Sequence, residues 1–253
     1  MNGINNEVIN LLKRRKSVRV FENKPIDSSI KQEIINAAFE APTAGAMMLY
    51  SILDITDQAI KDKLALLCDN QPFIAKAPLV LIFLADYQRW YDAYCLAGCN
   101  PRRPGEGDIL LAAADALIAA QNTVVAAEAL GVGSCYIGDT LENCEAVREL
   151  LDLPQFVLPA AMLVFGYPTE SQKTRKKPAR FEQEYLVSQN RYRRLSQEEL
   201  ENMHKLRLVK SGLANKDAIE EIKANCARKY MADFSLEMNR SAAQYLKSFR
   251  RDE

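Results

Sequence analysis

The sequence KRRKSVRVF, which occupies residues 13–21, joins two kinds of backbone pattern. Apolar residues at helical spacing lead into it, whereas its last four residues, Val18 to Phe21, alternate as an extended segment does. Its cations and Ser17 therefore collect where a helix gives way to a strand-like segment. Guanidinium, ammonium and hydroxyl groups all donate hydrogen bonds to phosphate oxygens. The stretch predicts an anion site, and a solvated basic surface is the alternative that it leaves open.

The composition sets limits on the class of protein. A chain of 253 residues can bury a sizeable core as one large domain or two small ones. Lys plus Arg and Asp plus Glu both number 33, so the formal net charge is zero. A general nucleic-acid-binding protein would carry a basic excess. We therefore expect no nucleic-acid partner.

No segment predicts export or membrane insertion. Met1 to Asn10 is polar and lacks the apolar core of a signal peptide. The longest apolar tract, Ile109 to Leu130, is interrupted by Asp115 and Glu128, so we do not interpret it as membrane-spanning. These patterns favour a cytoplasmic protein with reduced cysteines.

The sequence offers only a weak metal site. Cys95 and Cys99 could share one helical face, but no third or fourth ligand lies near them in the sequence. The single histidine, His204, lies in a polar helical pattern and is interpreted as a solvated surface residue. We therefore predict no metal site, and a cofactor would have to perform any redox chemistry.

Helical patterns alternate with strand patterns along the chain, which predicts a layered fold with helices covering a sheet. The predicted helices cover residues 28–41, 58–67, 108–130, 142–151 and 219–249, and the predicted strands cover residues 50–55, 78–85, 132–137 and 160–167. The apolar run in 78–85 is typical of a strand that is buried on both faces. The helix from Asp108 to Leu130 is apolar nearly all round, so a core or a partner must cover it. We expect it to form a dimer interface that includes Ala120.

The motifs resemble those of a known family. Arg15 to Phe21, followed by Pro25-Ile26, is similar to the N-terminal signature of the FMN-dependent nitroreductases, especially the larger NADPH-linked nitroreductases and flavin reductases. Four more segments follow in the family's order, namely APTAGAMM at 41–48, NQPF at 70–73, GVGSCYIGD at 131–139 and KKPAR at 176–180. No single motif is specific, but their order is. The resemblance implies an α+β, nitroreductase-like layered fold with a central mixed sheet flanked by helices, homodimeric through the long helix.

The resemblance also implies the cofactor-binding residues. Those implied for FMN are Arg15, Lys16, Ser17, Arg19, Thr43, Ala44, Gly45, Gln71, Tyr136, Ile137, Gly138, Asp139, Lys177 and Arg180. Arg15, Ser17, Lys177 and Arg180 would contact the phosphate, with Lys176 as the alternative to Lys177. Arg19 would lie near N1 and O2 of the flavin and support the anionic reduced ring electrostatically. Asp139 stands where many larger members have a second glycine.

The implied function is an NAD(P)H-dependent flavin oxidoreductase. Hydride from NADPH or NADH would pass through FMN to a nitroaromatic, quinone or free flavin acceptor by a ping-pong mechanism. No side chain need act as acid or base. A flavin-binding protein without reductase turnover and a phospholigand- or nucleic-acid-binding module are the alternatives.

The remaining segments are assigned more coarsely. Residues 1–195 are predicted to form the FMN-binding domain, and residues 196–253 a helical C-terminal extension or arm. Tyr87 to Gly107 is expected to cover the flavin. Trp90, Tyr91 and Tyr94 could stack there on an aromatic substrate, and ordinary helix packing is the alternative for these rings.

Overall fold

A computed structural model describes residues 5–250. Within these residues the central sheet has four strands, β1 (Tyr50–Asp54), β2 (Leu79–Asp86), β3 (Gly133–Ile137) and β4 (Val157–Gly166). Their order is β1-β2-β4-β3, and each neighbouring pair is antiparallel. The α+β class is confirmed, but these strands do not form the mixed sheet that we expected. The apolar run of β2 reflects its burial on both faces, which does not fix strand direction.

Helices surround the sheet. They are α1 (Glu7–Arg14), α2 (Ser28–Phe39), α3 (Gln58–Leu67), α4 (Pro72–Ala75), α5 (Gln88–Leu96), α6 (Glu106–Ala129), α7 (Cys144–Leu151), α8 (Glu170–Thr174), α9 (Gln197–Lys210), α10 (Ala218–Asn225) and α11 (Asp233–Lys247). Helix starts follow their caps, since the Asn6 and Asp57 side chains accept hydrogen bonds from the first turns of α1 and α3. The single helix predicted over 219–249 is wrong, because the chain breaks it into α10 and α11.

The alternation of side chains along β2 builds two apolar layers. Leu81 and Phe83 point to a cluster formed with α2 and α6. Val80 and Ile82 point to the opposite cluster, which α3, α4 and α7 complete. Because helices cover both faces, β2 is buried along its whole length. The sheet is therefore the middle layer of three.

The long helix α6 has two different apolar sides. Four of its alanines, among them Ala116 and Ala120, are fully buried in the cluster on the sheet. By length and composition it is the one helix within residues 5–250 that could cross a membrane, yet its alanine side packs on β2. Leucines and an isoleucine on its other side, among them Leu110 and Leu117, are exposed. The expectation that Ala120 lies at an interface is wrong, because Ala120 belongs to the core of its own chain.

The basic stretch 13–21 is attached directly to the edge of the sheet. Ser17 forms a parallel bridge with Ser134 of β3, and the Val18 amide donates to the Ser134 carbonyl at 2.9 Å. A Cβ atom at Gly133 would lie 2.6 Å from Val18 Cγ2, so only glycine permits this approach. The extended half of the stretch thus lies in a fixed register beside β3.

The chain divides into two compact units. Lys176–Leu236 form one unit, and the rest of the described chain forms the other. Tyr245 and Phe249 are fully buried in a cluster with Leu49 and Phe156 of the larger unit, so the segment that carries them packs into that unit. The domain limits predicted from the sequence, 1–195 and 196–253, stay predictions.

The smaller unit holds the only histidine of the sequence. His204 is half-buried and packs edge-on against the Phe181 ring at 5.2 Å. Burial is the main cause that lowers the pKa of its imidazole. The interpretation of His204 as a solvated surface residue is therefore wrong.

Candidate functional site

Three of the predicted phosphate and flavin contacts meet beside β3. The charges of Arg15 and Arg19 and the hydroxyl group of Ser17 all influence the pKa of the buried Cys135 thiol on β3, so these three side chains lie near it. Burial raises the pKa of that thiol, while the two guanidinium groups oppose the rise. Within residues 5–250, neither Arg15 nor Arg19 forms an ion pair with a carboxylate. Two guanidinium groups are therefore available for an anionic ligand.

The segment around Gln71 closes one side of this surface. Gln71 Nε2 donates to Asp139 Oδ2 at 2.7 Å and to the Cys68 carbonyl at 2.9 Å. The Phe73 ring, on α4, has the Arg19 guanidinium carbon 6.0 Å from its centroid. Gln71 is thus bonded to Asp139 and lies two residues before the ring that Arg19 approaches. Their contact with the polar edge of a flavin stays a prediction.

The end of β3 and the turn after it carry three more of the predicted flavin contacts, Tyr136, Ile137 and Gly138. The side chain of Ile137 is buried, so only its backbone is available to a ligand. Gly138 follows it, and a Cβ atom added at Gly138 would meet nothing within 4 Å. The backbone there is open to an approaching group. Tyr136 is partly exposed, and its hydroxyl donates to Gln121 of α6 at 3.3 Å.

Lys16 has a different set of partners. Its ammonium group donates to the carbonyl oxygens of Lys173, at 2.6 Å, and Arg175. Arg175 in turn donates to the Ser17 carbonyl. These bonds fasten the basic stretch to the chain that leads into residue 176. Lys177 and Arg180 lie in the smaller compact unit, and their contact with the phosphate stays a prediction.

The predicted flavin loop around Thr43 is organised by a residue that the sequence analysis did not select. Asp115 of α6 is 3 % exposed, and its carboxylate accepts a hydrogen bond from the Thr43 hydroxyl. It also accepts from the amides of Ala44 and Leu49, each at 3.1 Å. The Thr43 hydroxyl accepts from the Met48 amide at 2.8 Å. One buried carboxylate therefore closes the whole loop.

The loop needs this support because its backbone is strained. Gly45, Ala46 and Met48 all have positive φ values, of 55°, 57° and 51°. Ala46 and Met48 carry side chains, for which the left-handed region is unfavourable by about 1–2 kcal/mol per residue. Trp90 Nε1 donates to the Met47 carbonyl at 2.8 Å, and Arg89 donates to the Met48 carbonyl.

Two of the three aromatic residues of α5, Trp90 and Tyr91, pack against the core of the chain. Trp90 and Tyr91 contact the core cluster around Leu49, and the Tyr91 and Phe156 rings lie 5.1 Å apart, edge to face. Tyr94 is half-buried, with its ring 5.5 Å from that of Trp90. These contacts favour the packing alternative for Trp90 and Tyr91.

A second group that sequence reasoning missed is Glu142, just after the turn that contains Asp139. It is 4 % exposed, and burial, followed by the charge of Asp139, raises the pKa of its carboxyl group to about 8. No sequence motif marks it. Asp115 did leave a signal, since a lone acid in an apolar helix needs partners when it is buried.

A helix-covered α+β sheet with unpaired guanidinium groups and an open glycine turn at its edge is the arrangement expected of a flavin-dependent oxidoreductase. The nitroreductase family model matches residues 12–167, and the chain belongs to the nitroreductase family. It is an NAD(P)H-dependent flavin oxidoreductase with FMN as cofactor.

Named relatives agree with this membership. An NADPH-dependent oxidoreductase from Staphylococcus aureus is 32% identical over 187 residues, which cover 73% of this chain and 74% of the relative. NfrA2 from B. megaterium has a TM-score of 0.82 at 27% identity, covering 98% of this chain and 100% of that one. An NADPH:FMN oxidoreductase from Vibrio harveyi, solved with NAD+, has a TM-score of 0.75 at 26% identity, covering 94% and 98%.

Proposed function

We propose that the protein uses NADPH, or NADH, to reduce a nitroaromatic, quinone or free flavin acceptor in a ping-pong order. The observation that carries the proposal is the surface around Arg15, Ser17, Arg19, Gln71 and Asp139 in a chain of this family. The names of the relatives favour NADPH as the donor. The acceptor is proposed to be a small molecule, and the protein to act in the cytoplasm without a membrane or nucleic-acid partner.

The residues present fit FMN. Unpaired guanidinium groups and a hydroxyl suit a phosphate and an anionic ring, and the opening at Gly138 leaves room for backbone contact. Arg15 and Ser17 are proposed to bind the phosphate, with Lys177 and Arg180 as further contacts. Gln71 and Arg19 are proposed to contact the polar edge of the ring, and the backbone of 136–139 its face. When bound, FMN supplies the transfer of hydride from donor to acceptor.

Arg19 is proposed to stabilise the anionic reduced flavin electrostatically. Its guanidinium group lies beside the buried Cys135 thiol and over Phe73, away from any carboxylate partner within residues 5–250. A preorganised cation stabilises negative charge that develops nearby without having to reorganise. Lys16 is proposed to act mainly by holding the 173–175 segment, because its donors reach the carbonyl oxygens there.

The active form is proposed to be a homodimer. The exposed side of α6 presents large apolar residues, including Leu110, which is 70 % exposed. Burial of this apolar surface against a second copy of the helix would stabilise the dimer by about 25 cal/mol for each Å² removed from water. The Thr43 loop, held from α6 by Asp115, is proposed to contact the flavin of the partner subunit as well as its own.

One spectroscopic experiment tests the cofactor and the turnover together. The purified protein is expected to be yellow or to take up added FMN, and NADPH should bleach the flavin absorption without oxygen. Addition of a quinone should then restore it. A protein that takes up no FMN would contradict the proposed site, and bound flavin that neither nicotinamide bleaches would favour the alternative without reductase turnover.

Arg19 and Arg15 should differ in what they control. In Arg19→Ala we expect the flavin midpoint potential to fall, because the anionic reduced form loses about 2–3 kcal/mol of support. In Arg15→Ala we expect weaker FMN binding with a nearly unchanged potential, because the lost contact is to the phosphate. Potentiometric titration and FMN binding are measured on both variants. An unchanged potential in Arg19→Ala would show that Arg19 is only a surface cation.

A further inference from the structure

Behind the proposed flavin edge lies a buried carboxyl group that the proposed function does not use. Glu142 follows the short turn Asp139–Leu141, and its amide donates to the Asp139 carbonyl at 3.0 Å. Its side chain is 4 % exposed, and its Oε1 atom has no hydrogen-bond partner. A buried carboxylate without a partner is costly, so the group favours its neutral, protonated form.

The surroundings of Glu142 are acidic. Asp139 lies on the turn just before it, and the charges of Asp139, Asp69 and Glu237 all oppose the ionisation of Glu142. The buried Cys68 thiol faces the same group, and burial also raises its pKa. Glu237 itself accepts from the Asn143 amide and pairs with Arg240, which therefore offers its charge to Glu237 rather than to Glu142. These neighbours hold a proton on Glu142 at neutral pH.

Asp139 connects this proton to the proposed flavin site. Its carboxylate accepts from Gln71 Nε2 at 2.7 Å, its carbonyl accepts from the Glu142 amide at 3.0 Å, and its charge raises the pKa of the Glu142 carboxyl group. Gln71 and the backbone around Gly138 are the groups that the proposed function assigns to the flavin ring. New negative charge at that ring would therefore act on Asp139 and Glu142 at close range and with little solvent screening.

We propose that Glu142, acting through Asp139, is a positioning residue that, in the alkaline range where it is ionised, takes up a proton when the bound flavin is reduced. The inference rests on the proposed function. Electrons added to the ring make the surroundings of the carboxyl pair more negative, so the pair binds protons more tightly in the reduced state. No bond to the cofactor forms. The proton comes from solvent, remains on the Asp139–Glu142 pair, and returns to solvent when an acceptor reoxidises the flavin.

The raised pKa of Glu142 determines in which direction pH changes the midpoint potential. Below pH 7 Glu142 is neutral in both redox states, and it contributes nothing to the potential. Above pH 8 it is ionised in the oxidised state, because its pKa in the flavin-free protein is about 8 and the oxidised ring adds no charge beside it. Its negative charge then opposes reduction unless a proton is taken up. The midpoint potential of the wild type should therefore fall more steeply with pH between 7 and 9 than the flavin alone requires.

The test compares Glu142→Gln with the wild type across this range. The potentials of the two proteins should coincide below pH 7, and the wild-type value should fall below that of the variant above pH 8. Glu145→Gln is the matched control, since Glu145 lies on the same segment but is exposed and paired with Arg240. Its potential should follow the wild type at every pH. Parallel curves for wild type and Glu142→Gln would overturn the inference.

A measurement without flavin separates this inference from the proposed function. In flavin-free protein, infrared difference spectroscopy should detect a protonated carboxyl group at neutral pH that is missing in Glu142→Gln. Asp139→Asn removes the neighbouring charge, so it should lower the pH at which the Glu142 carboxyl group titrates. This variant replaces Glu142→Gln in the test if Glu142→Gln does not fold. A Glu142 that is ionised at pH 6 would overturn the inference whether or not FMN binds. Failure to bind FMN would count against the proposed function alone.

Discussion

Replacing Asp115 with alanine is expected to lower the free energy of unfolding by about 3–5 kcal/mol, because hydrogen bonds to a charged, buried group are each worth about 1.5–3 kcal/mol. The substitution removes the carboxylate to which Thr43, Ala44 and Leu49 all donate, and within residues 5–250 it leaves these donors without that acceptor. The loop that holds Ala46 and Met48 in the left-handed region then loses its attachment to α6. Denaturant unfolding of the flavin-free protein measures this loss.

A milder substitution at Asp115 tests whether the Thr43 loop contributes to FMN binding as well as to stability. If the Thr43 loop contacts flavin, Asp115→Asn, which keeps one acceptor oxygen, should bind FMN less tightly than wild type while it retains the fold. Asp62→Ala is the control, since Asp62 is an exposed helical acid whose side chain accepts only from Gln58. We expect Asp62→Ala to change stability by less than about 0.5 kcal/mol. An Asp115→Ala protein as stable as this control would contradict the role given to Asp115.

The second large effect concerns the exposed side of α6. Leu117→Glu is expected to convert the proposed homodimer to monomer and to release FMN, because a charge would be buried among apolar residues. In a two-fold symmetric dimer each substitution occurs twice in the interface. A cost of about 2.7 kcal/mol already weakens association about 100-fold. Light scattering with flavin absorption on the same sample gives both quantities.

The choice of position decides what this experiment tests. Leu117 is 44 % exposed in the single chain, whereas Ala120 on the same helix is fully buried in its own core. A charge at Ala120 would unfold the chain and say nothing about association. Leu66→Glu on α3 is the matched control, since Leu66 is exposed on a different helix. If Leu66→Glu dissociates the protein while Leu117→Glu does not, the interface lies elsewhere.

The sequence predicted most of the elements of the fold because their patterns are local. The helix predicted over residues 58–67 has those limits in the structure, since Asp57 caps it and its apolar spacing is regular. Strand direction was not predicted, because it depends on how distant strands meet. The break between α10 and α11 was also missed, since an apolar spacing can continue through a distorted turn.

In the candidate site, too, the residues in local motifs could be predicted, whereas those whose roles depend on packing could not. Arg15, Ser17 and Arg19 were predicted, because the segment that carries them is a recognisable motif and the chain brings them to one thiol. Asp115 and Glu142 were missed because their roles come from burial. The position of Asp115 in an apolar helix indicates that it needs partners, but the sequence does not say which, and nothing in the sequence marks Glu142. Only the packing distinguishes a loop anchor from a proton-holding group.

The attachment of the basic stretch to β3 has a consequence for the order of folding. Lys16 contacts the Lys173 carbonyl across 157 positions of the chain, so this contact must wait until the sheet has brought those segments together. Closing such a long loop costs entropy before any contact compensates for it. The proposed phosphate contacts are thus expected to form late, after the sheet, so a partly folded chain should offer FMN little of its proposed binding surface. Added cofactor should therefore slow unfolding rather than accelerate refolding.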